Sequence, residues 1–211
     1  MSKQLSKKEQ LREEKRQRIL HAAITLFSKN GYSETTIAAV AKGSEVSFGT
    51  VFTYFPNKEQ LFEAAVLEPL NEIKPLFLCQ INKGQTPLEH LKQMVKEHVI
   101  TFSQKETHLR LVQYVLGQHE RFPKIFEQLD SFFHDVIEAL EPIIIEGQKQ
   151  GELHTLNPEI VATSYFQFLN GIRVTIIDPP DGIIWKALIP QALLLFAPVN
   201  SKDIYDSTLN E

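Results

Sequence analysis

Apolar residues recur along this chain with the spacing of a helix. Ile19, Ala22, Ala23, Leu26 and Phe27 stand at i, i+3, i+4, i+7 and i+8, which places them on one stripe. Asn30-Gly31 closes that stripe with a C-terminal glycine signal. A second short helix fits 36–43, with Ile37, Val40 and Ala41 turned inward. After a tight turn, a third fits 48–55, with Ser47 as its N-cap. Pro56 ends it, because proline lacks a backbone donor and restricts the residue before it. Asn57 can cap a fourth helix, with Gln60 at the capping-box position three residues on.

Longer helical patterns follow over 58–82, 87–104, 106–119, 122–150, 158–177 and 183–197. Their breaks fall at Lys83-Gly84, Gly117, Phe122-Pro123, Gly147 to Gly151, Asn157-Pro158 and the Pro/Gly-rich 178–182. Pro69, Pro75, Pro142 and Pro190 lie within these patterns and are expected to kink or split them. No segment alternates with period two between turn signals, so no sheet is assigned. The predicted fold is all-α: a compact three-helix head over 1–60 and a larger helical body over 61–211.

Charge sharpens this division. The net charge is −4 over 211 residues, yet residues 1–60 hold ten Lys/Arg against six Asp/Glu. The basic arm and start of the first helix, 1–18, carry Lys3, Lys7, Lys8, Arg12, Lys15, Arg16 and Arg18 against three acids. A basic end on an acidic body predicts an anionic partner reached from one end. The chain starts without an apolar signal core, and its longest apolar run, 192–199, is far short of the roughly 20 residues a membrane span needs. A cytoplasmic protein with no membrane partner is therefore expected. The single cysteine, Cys79, excludes an internal disulfide framework.

The two short helices, with another packed behind them, describe a helix-turn-helix, in which the second helix of the pair enters the major groove. The run Ile19-Leu20-His21-Ala22-Ala23, Leu26-Phe27, Gly31-Tyr32, Thr35-Thr36-Ile37, Val40-Ala41, 46–55 and Asn57-Lys58-Glu59-Gln60-Leu61 resembles the DNA-binding head of the TetR family of transcriptional repressors. On the third helix, Val46, Val51 and Phe55 can face the core. Phe48, Gly49, Phe52 and Thr53 then share the outer face, where the rings can meet thymine methyl groups. Gly49 permits close backbone approach, and Ser47 and Thr50 offer hydroxyls. The resemblance implies contacts to the DNA from Thr36, Tyr54 and Lys58 as well. Where the family commonly has Ala-Gly, this chain has Ser44-Glu45; a left-handed backbone at Glu45 would cost roughly 1 kcal/mol more than glycine.

Asp130, His134 and Glu138 share a helix face, but a solvated charged face explains them better than a metal, and no catalytic set or cofactor motif emerges. Polar residues within apolar stretches, Arg110, Gln113, Tyr114, Gln167, Asn170 and Arg173, are the candidate lining of a ligand pocket. The aromatic, acidic body suits an apolar or cationic small organic effector, with Arg110 and Arg173 able to hold a carboxylate instead. The resemblance also implies a homodimer on palindromic double-stranded operator DNA. Its four-helix interface would use Ala162, Phe166, Leu169, Leu188, Ala192, Leu195 and Phe196. Together these point to a repressor released from its operator by the effector. Two other readings stay open: an all-α ligand-binding or enzymatic protein whose head no longer binds DNA, and an activator without an effector.

Overall fold

A computed structural model of the chain describes residues 6–77, 84–175 and 178–200, with the side chains of 173–175 excepted. Ten α-helices are present among the described residues: α1 (Lys7–Glu34), α2 (Ile37–Gly43), α3 (Phe48–Tyr54), α4 (Lys58–Leu67), α5 (Leu70–Phe77), α6 (Pro87–Gln104), α7 (Glu106–Leu116), α8 (Pro123–Lys149), α9 (Pro158–Thr175) and α10 (Ile183–Leu194). The chain divides into two compact units, Met1–Leu70 with Arg110–Glu127, and Asn71–Leu109 with Gln128–Glu211.

In the first unit, Ser6 caps α1 by a capping box with Glu9, so the helix begins twelve residues before the apolar stripe does. Gly31, at φ 72°, breaks the helical path, as its sequence signal predicts. Ile19, Leu20, Ala23 and Phe27 bury that stripe. The α4 side chains Leu61, Phe62, Ala65 and Val66 are buried with them, as are Val40, Ala41, Val51 and Phe55 of α2 and α3 and the start of the turn that follows. The Phe62 ring lies 5.0 Å from Phe27, 5.0 Å from Tyr32 and 4.9 Å from Phe122 between centroids. Arg16 makes a bidentate pair with the Glu68 carboxylate and sits 5.0 Å over the Phe55 ring. One charge of the basic arm is thereby committed to the head's own architecture; Lys7, Lys8, Arg12 and Lys15 remain exposed. Lys3 lies outside the described residues.

The second unit has one apolar core, drawn from α5, α6, α8, α9 and α10. At its centre His98 is fully buried. Its Nε2 donates to the Leu76 carbonyl (3.1 Å), and its Nδ1 accepts from the Tyr165 hydroxyl (2.8 Å). The carbonyl can only accept, which fixes the tautomer.

The helix expected over 58–82 is two helices, α4 and α5, separated at Glu68 and Pro69, and its end at 78–82 lies outside the described residues. Pro75, Pro142 and Pro190 lie within α5, α8 and α10 without splitting them. One isolated antiparallel bridge, Leu153 to Pro198, joins the segment after α8 to that after α10. It forms no sheet, so the all-α reading holds. No helix of the described residues is long and apolar enough to cross a membrane.

Candidate nucleic-acid interface

Short helices have few hydrogen bonds of their own, and α2 and α3 depend on their caps. Thr36 Oγ1 accepts from Ala39 N at 3.1 Å, and Ser47 Oγ accepts from Thr50 N at 3.2 Å. The Ser47 and Thr50 hydroxyls also lie 2.6 Å apart. Between the helices, Val46 N donates to the Ala41 carbonyl and Ser44 N to the Val40 carbonyl, which tightens the turn. Glu45 has φ 56°, the left-handed backbone that its position suggests. Its carboxylate is exposed and lies 4.0 Å from Arg18, too far and too wet to compensate much. Glu45→Gly is therefore expected to stabilise the protein by about 1 kcal/mol. The check is the urea midpoint of the variant; an unchanged or lower midpoint would show the turn to be unstrained.

The α3 surface divides as its sequence predicts. Val51 and Phe55 are buried. Phe48 and Phe52 are 55% and 39% exposed, and neither ring folds back into the core. They pack edge to face at 5.2 Å, forming one apolar ridge beside exposed Gly49 and Thr53. A Cβ added at Gly49 would meet nothing within 4 Å, so space within the protein does not explain this glycine. Tyr54 is half-buried at the end of α3.

Lys58 opens α4, where its charge opposes the helix dipole. Its Nζ donates to the Ser33 carbonyl at 3.1 Å and sits 4.5 Å over the Tyr32 ring. Partial burial, and then the neighbouring Arg121 charge, draw its pKa below the ordinary lysine value. Sequence spacing gave no sign of Arg121, which stands far along the chain from Lys58. Its guanidinium donates to the Ser33 hydroxyl at 3.0 Å and lies 5.3 Å over the same Tyr32 ring.

The candidate ligand residues fall in both units. Arg110, Gln113 and Tyr114 belong to the first unit, and Gln167 and Asn170 to the second. Arg110 and Gln167 are exposed. Tyr114 instead packs within the head, with its ring 6.1 Å from Phe62 and 3.3 Å from the position of a Cβ at Gly31. Asn170 Nδ2 donates back to the Phe166 carbonyl at 3.1 Å. The Arg173 side chain lies outside the described residues.

The expected dimer set also needs correction. Ala162, Phe166, Leu169, Ala192 and Phe196 are buried in the protomer's own core, so their surface is already covered. Leu188 and Leu195 are only partly buried and pack against that core. Asp130 lies 3.6 Å from His134 on an exposed face.

A helical pair with a tight turn, a capped second helix and an apolar and hydroxyl-bearing outer face defines a helix-turn-helix DNA-binding regulator. Residues 19–65 match the family model described as bacterial regulatory proteins, tetR family. The HTH-type transcriptional repressor KstR of Mycobacterium tuberculosis is 35% identical over 82 residues, spanning 39% of this chain and 37% of that protein. A tetR-family regulatory protein from Rhodococcus RHA1 shares the fold with a TM-score of 0.74 at 23% identity, covering 89% of this chain and 99% of that one. AibR, solved in complex with isovaleryl coenzyme A and operator DNA, superposes with a TM-score of 0.67 at 20% identity over 87% and 99% of the two chains. The head over residues 19–65 is thus of the tetR-family type, and the chain as a whole is similar in sequence and fold to TetR-family transcriptional regulators.

Proposed function

We propose that the protein is a homodimeric repressor, acting in the cytoplasm, that leaves its operator when a small organic effector binds. The exposed Phe48–Phe52 ridge carries the DNA reading, because two rings on the solvent side of a two-turn helix stabilise nothing within the protomer. In the major groove they would meet thymine methyls. Gly49 would let the backbone close on a phosphate, Thr36, Ser47, Thr50 and Tyr54 would supply hydroxyls, and Lys58 a charge. The third helix has no Arg, Lys, Asn or Gln, so specificity comes from methyl contacts, Thr53 and DNA shape rather than bidentate base readers.

The exposed outer faces of α9 and α10 support the dimer reading. Ile160 and Ile183 are 60% and 86% exposed, and Ser164, Gln167, Gly171, Ala187 and Gln191 continue those exposed faces at helical spacing. Small residues there allow close approach of a second copy. The effector reading rests on the second unit's aromatic interior. Phe77, Phe102, Phe132 and Phe166 interlock there at ring distances of 5.8 to 6.2 Å, and the buried His90 Nε2 has no hydrogen-bond partner among the described residues. An apolar acyl or similar organic molecule would suit an aromatic interior of this kind, and AibR was solved with isovaleryl coenzyme A on the same fold. The effector need only prefer the DNA-incompetent state; operator DNA then weakens effector binding by the same factor.

The test is selection of bound duplexes from a random pool, repeated with two variants. The wild type is expected to recover a palindrome. Lys58→Ala should bind every sequence more weakly and lower the slope of log K against log salt by about 0.9 per protomer, because a phosphate contact carries no base information. Thr53→Ala should change the recovered sequence. Failure to retain any duplex at low salt would favour a ligand-binding protein with a silent head.

A further inference from the structure

We infer that Arg121 is a second DNA-backbone contact, acting as a doublet with Lys58 over Tyr32, so that the segment between α7 and α8 takes part directly in holding the duplex. This rests on the reading of Lys58 as a phosphate contact. Both cations converge on one dipeptide. Lys58 Nζ bonds the Ser33 carbonyl and Arg121 the Ser33 hydroxyl, and both lie over the Tyr32 ring. Tyr32 and Ser33 lie four and three residues before Thr36, the cap of α2.

Two features set this doublet apart from an ordinary surface cluster. Neither cation forms an ion pair within 4 Å among the described residues, although Glu34 and Glu59 are close enough to be felt by Lys58 and Tyr32. By contrast, Arg16 on the same unit has a bidentate carboxylate. Like charges on one ring repel, and the Lys58 ammonium is easier to deprotonate because of partial burial and then Arg121. The cation–π contacts to the ring work against that repulsion. A phosphate monoanion between the two would turn the repulsion into attraction, and a guanidinium can meet its oxygens with two parallel N–H donors. Exposed Arg121 is also stacked on Tyr32 and Phe122, at 5.3 and 5.4 Å, so its charged end is held in place before DNA arrives. This pre-ordering lowers the entropy lost on binding.

The experiment measures binding of a mixed-sequence duplex, a few helical turns long, across a range of salt. Arg121→Gln keeps a donor for Ser33 and most of the stem but removes the charge. It is expected to lower the salt slope by about 0.9 per protomer, the loss of one phosphate contact. Arg121→Lys keeps the charge and should hold the slope. Arg121→Gln with Lys58→Ala should lower it by about twice as much. An unchanged slope for Arg121→Gln, with an unfolding midpoint like the wild type, would overturn the inference and leave Arg121 as a clamp on Tyr32. A lowered slope for Arg121→Gln but not for Lys58→Ala would keep Arg121 as a contact and refute the doublet. A wild type that retains no duplex would overturn both this inference and the DNA-binding reading it rests on.

Discussion

Phe62→Ala is expected to destabilise the DNA-binding head by about 3–5 kcal/mol, the range for truncating a buried aromatic side chain. Phe62 has no exposed surface. Its ring touches four others, with centroids at 5.0 Å to Phe27, 5.0 Å to Tyr32, 4.9 Å to Phe122 and 6.1 Å to Tyr114. Three sequence segments meet on this one side chain: α1 and the residues just past its glycine break, α4, and 110–127. Aromatic pairs add about 0.5–1.5 kcal/mol each beyond burial, so several small terms are lost together with the transfer term. Whole domains are stable by only about 5–15 kcal/mol, which makes this loss a large fraction of the total. Phe62→Leu should lose less, since it fills most of the hole. Chemical denaturation of the three proteins checks the order. A cost below about 1 kcal/mol for Phe62→Ala would show that the head collapses onto the cavity and that the ring set does not hold it together.

The head was largely legible in the sequence because its signals are local. Ile19 to Phe27 spell a stripe, Ser47 and Asn57 cap helices, Gly31 and Pro56 stop them, and Glu45 stands where a left-handed turn is needed. Each of these acts within four residues. The Ser6–Glu9 capping box is a signal of the same kind and sets the true start of α1 at Lys7. Arg121 has no such signal. Its partners, Tyr32 and Ser33, meet it only after a long loop of chain has closed.

The body was legible in its helices but not in which face each helix buries. α9 and α10 are apolar on more than one side. Ala162 and Ala192 look from the sequence like small residues for pairing with a second copy. In the structure both alanines are fully buried within the protomer, while Ile160 and Ile183 on the same two helices are exposed. Hydropathy reports that a stripe must be covered; it does not report whether the same chain or another copy covers it. The unit to which each pocket candidate belongs was hidden for a related reason. Arg110, Gln113 and Tyr114 sit on α7, which passes from one unit to the other, so closeness in sequence to the body did not place them in it.

Acid is expected to destabilise the second unit through His98. Burial, with a smaller contribution from nearby His90, lowers its pKa from 6.5 to about 4, although the bond to the Leu76 carbonyl favours the charged form. Above pH 6.5 the imidazole is neutral in both folded and unfolded chains, and the full stability is present. As the pH falls below 6.5, the unfolded chain takes up a proton that the folded one refuses, and stability is lost progressively. The loss levels off near pH 4, where the folded imidazole also titrates. At about 1.4 kcal/mol per pH unit, the window is worth about 3 kcal/mol. Buried His90, whose pKa burial also lowers, steepens the same window. Tyr165 does not titrate there, since its burial raises its pKa well above 10. The measurement is the free energy of unfolding of the full chain at intervals between pH 7 and pH 4. In the double variant His98→Leu, Tyr165→Phe both partners of the 2.8 Å bond are removed together, so no hydroxyl is left unpaired. That variant should show a pH dependence flatter by the His98 share while keeping the contribution of His90. An equal slope in the two proteins would mean that His98 is protonated in the folded state, with the Tyr165 oxygen accepting from Nδ1 instead.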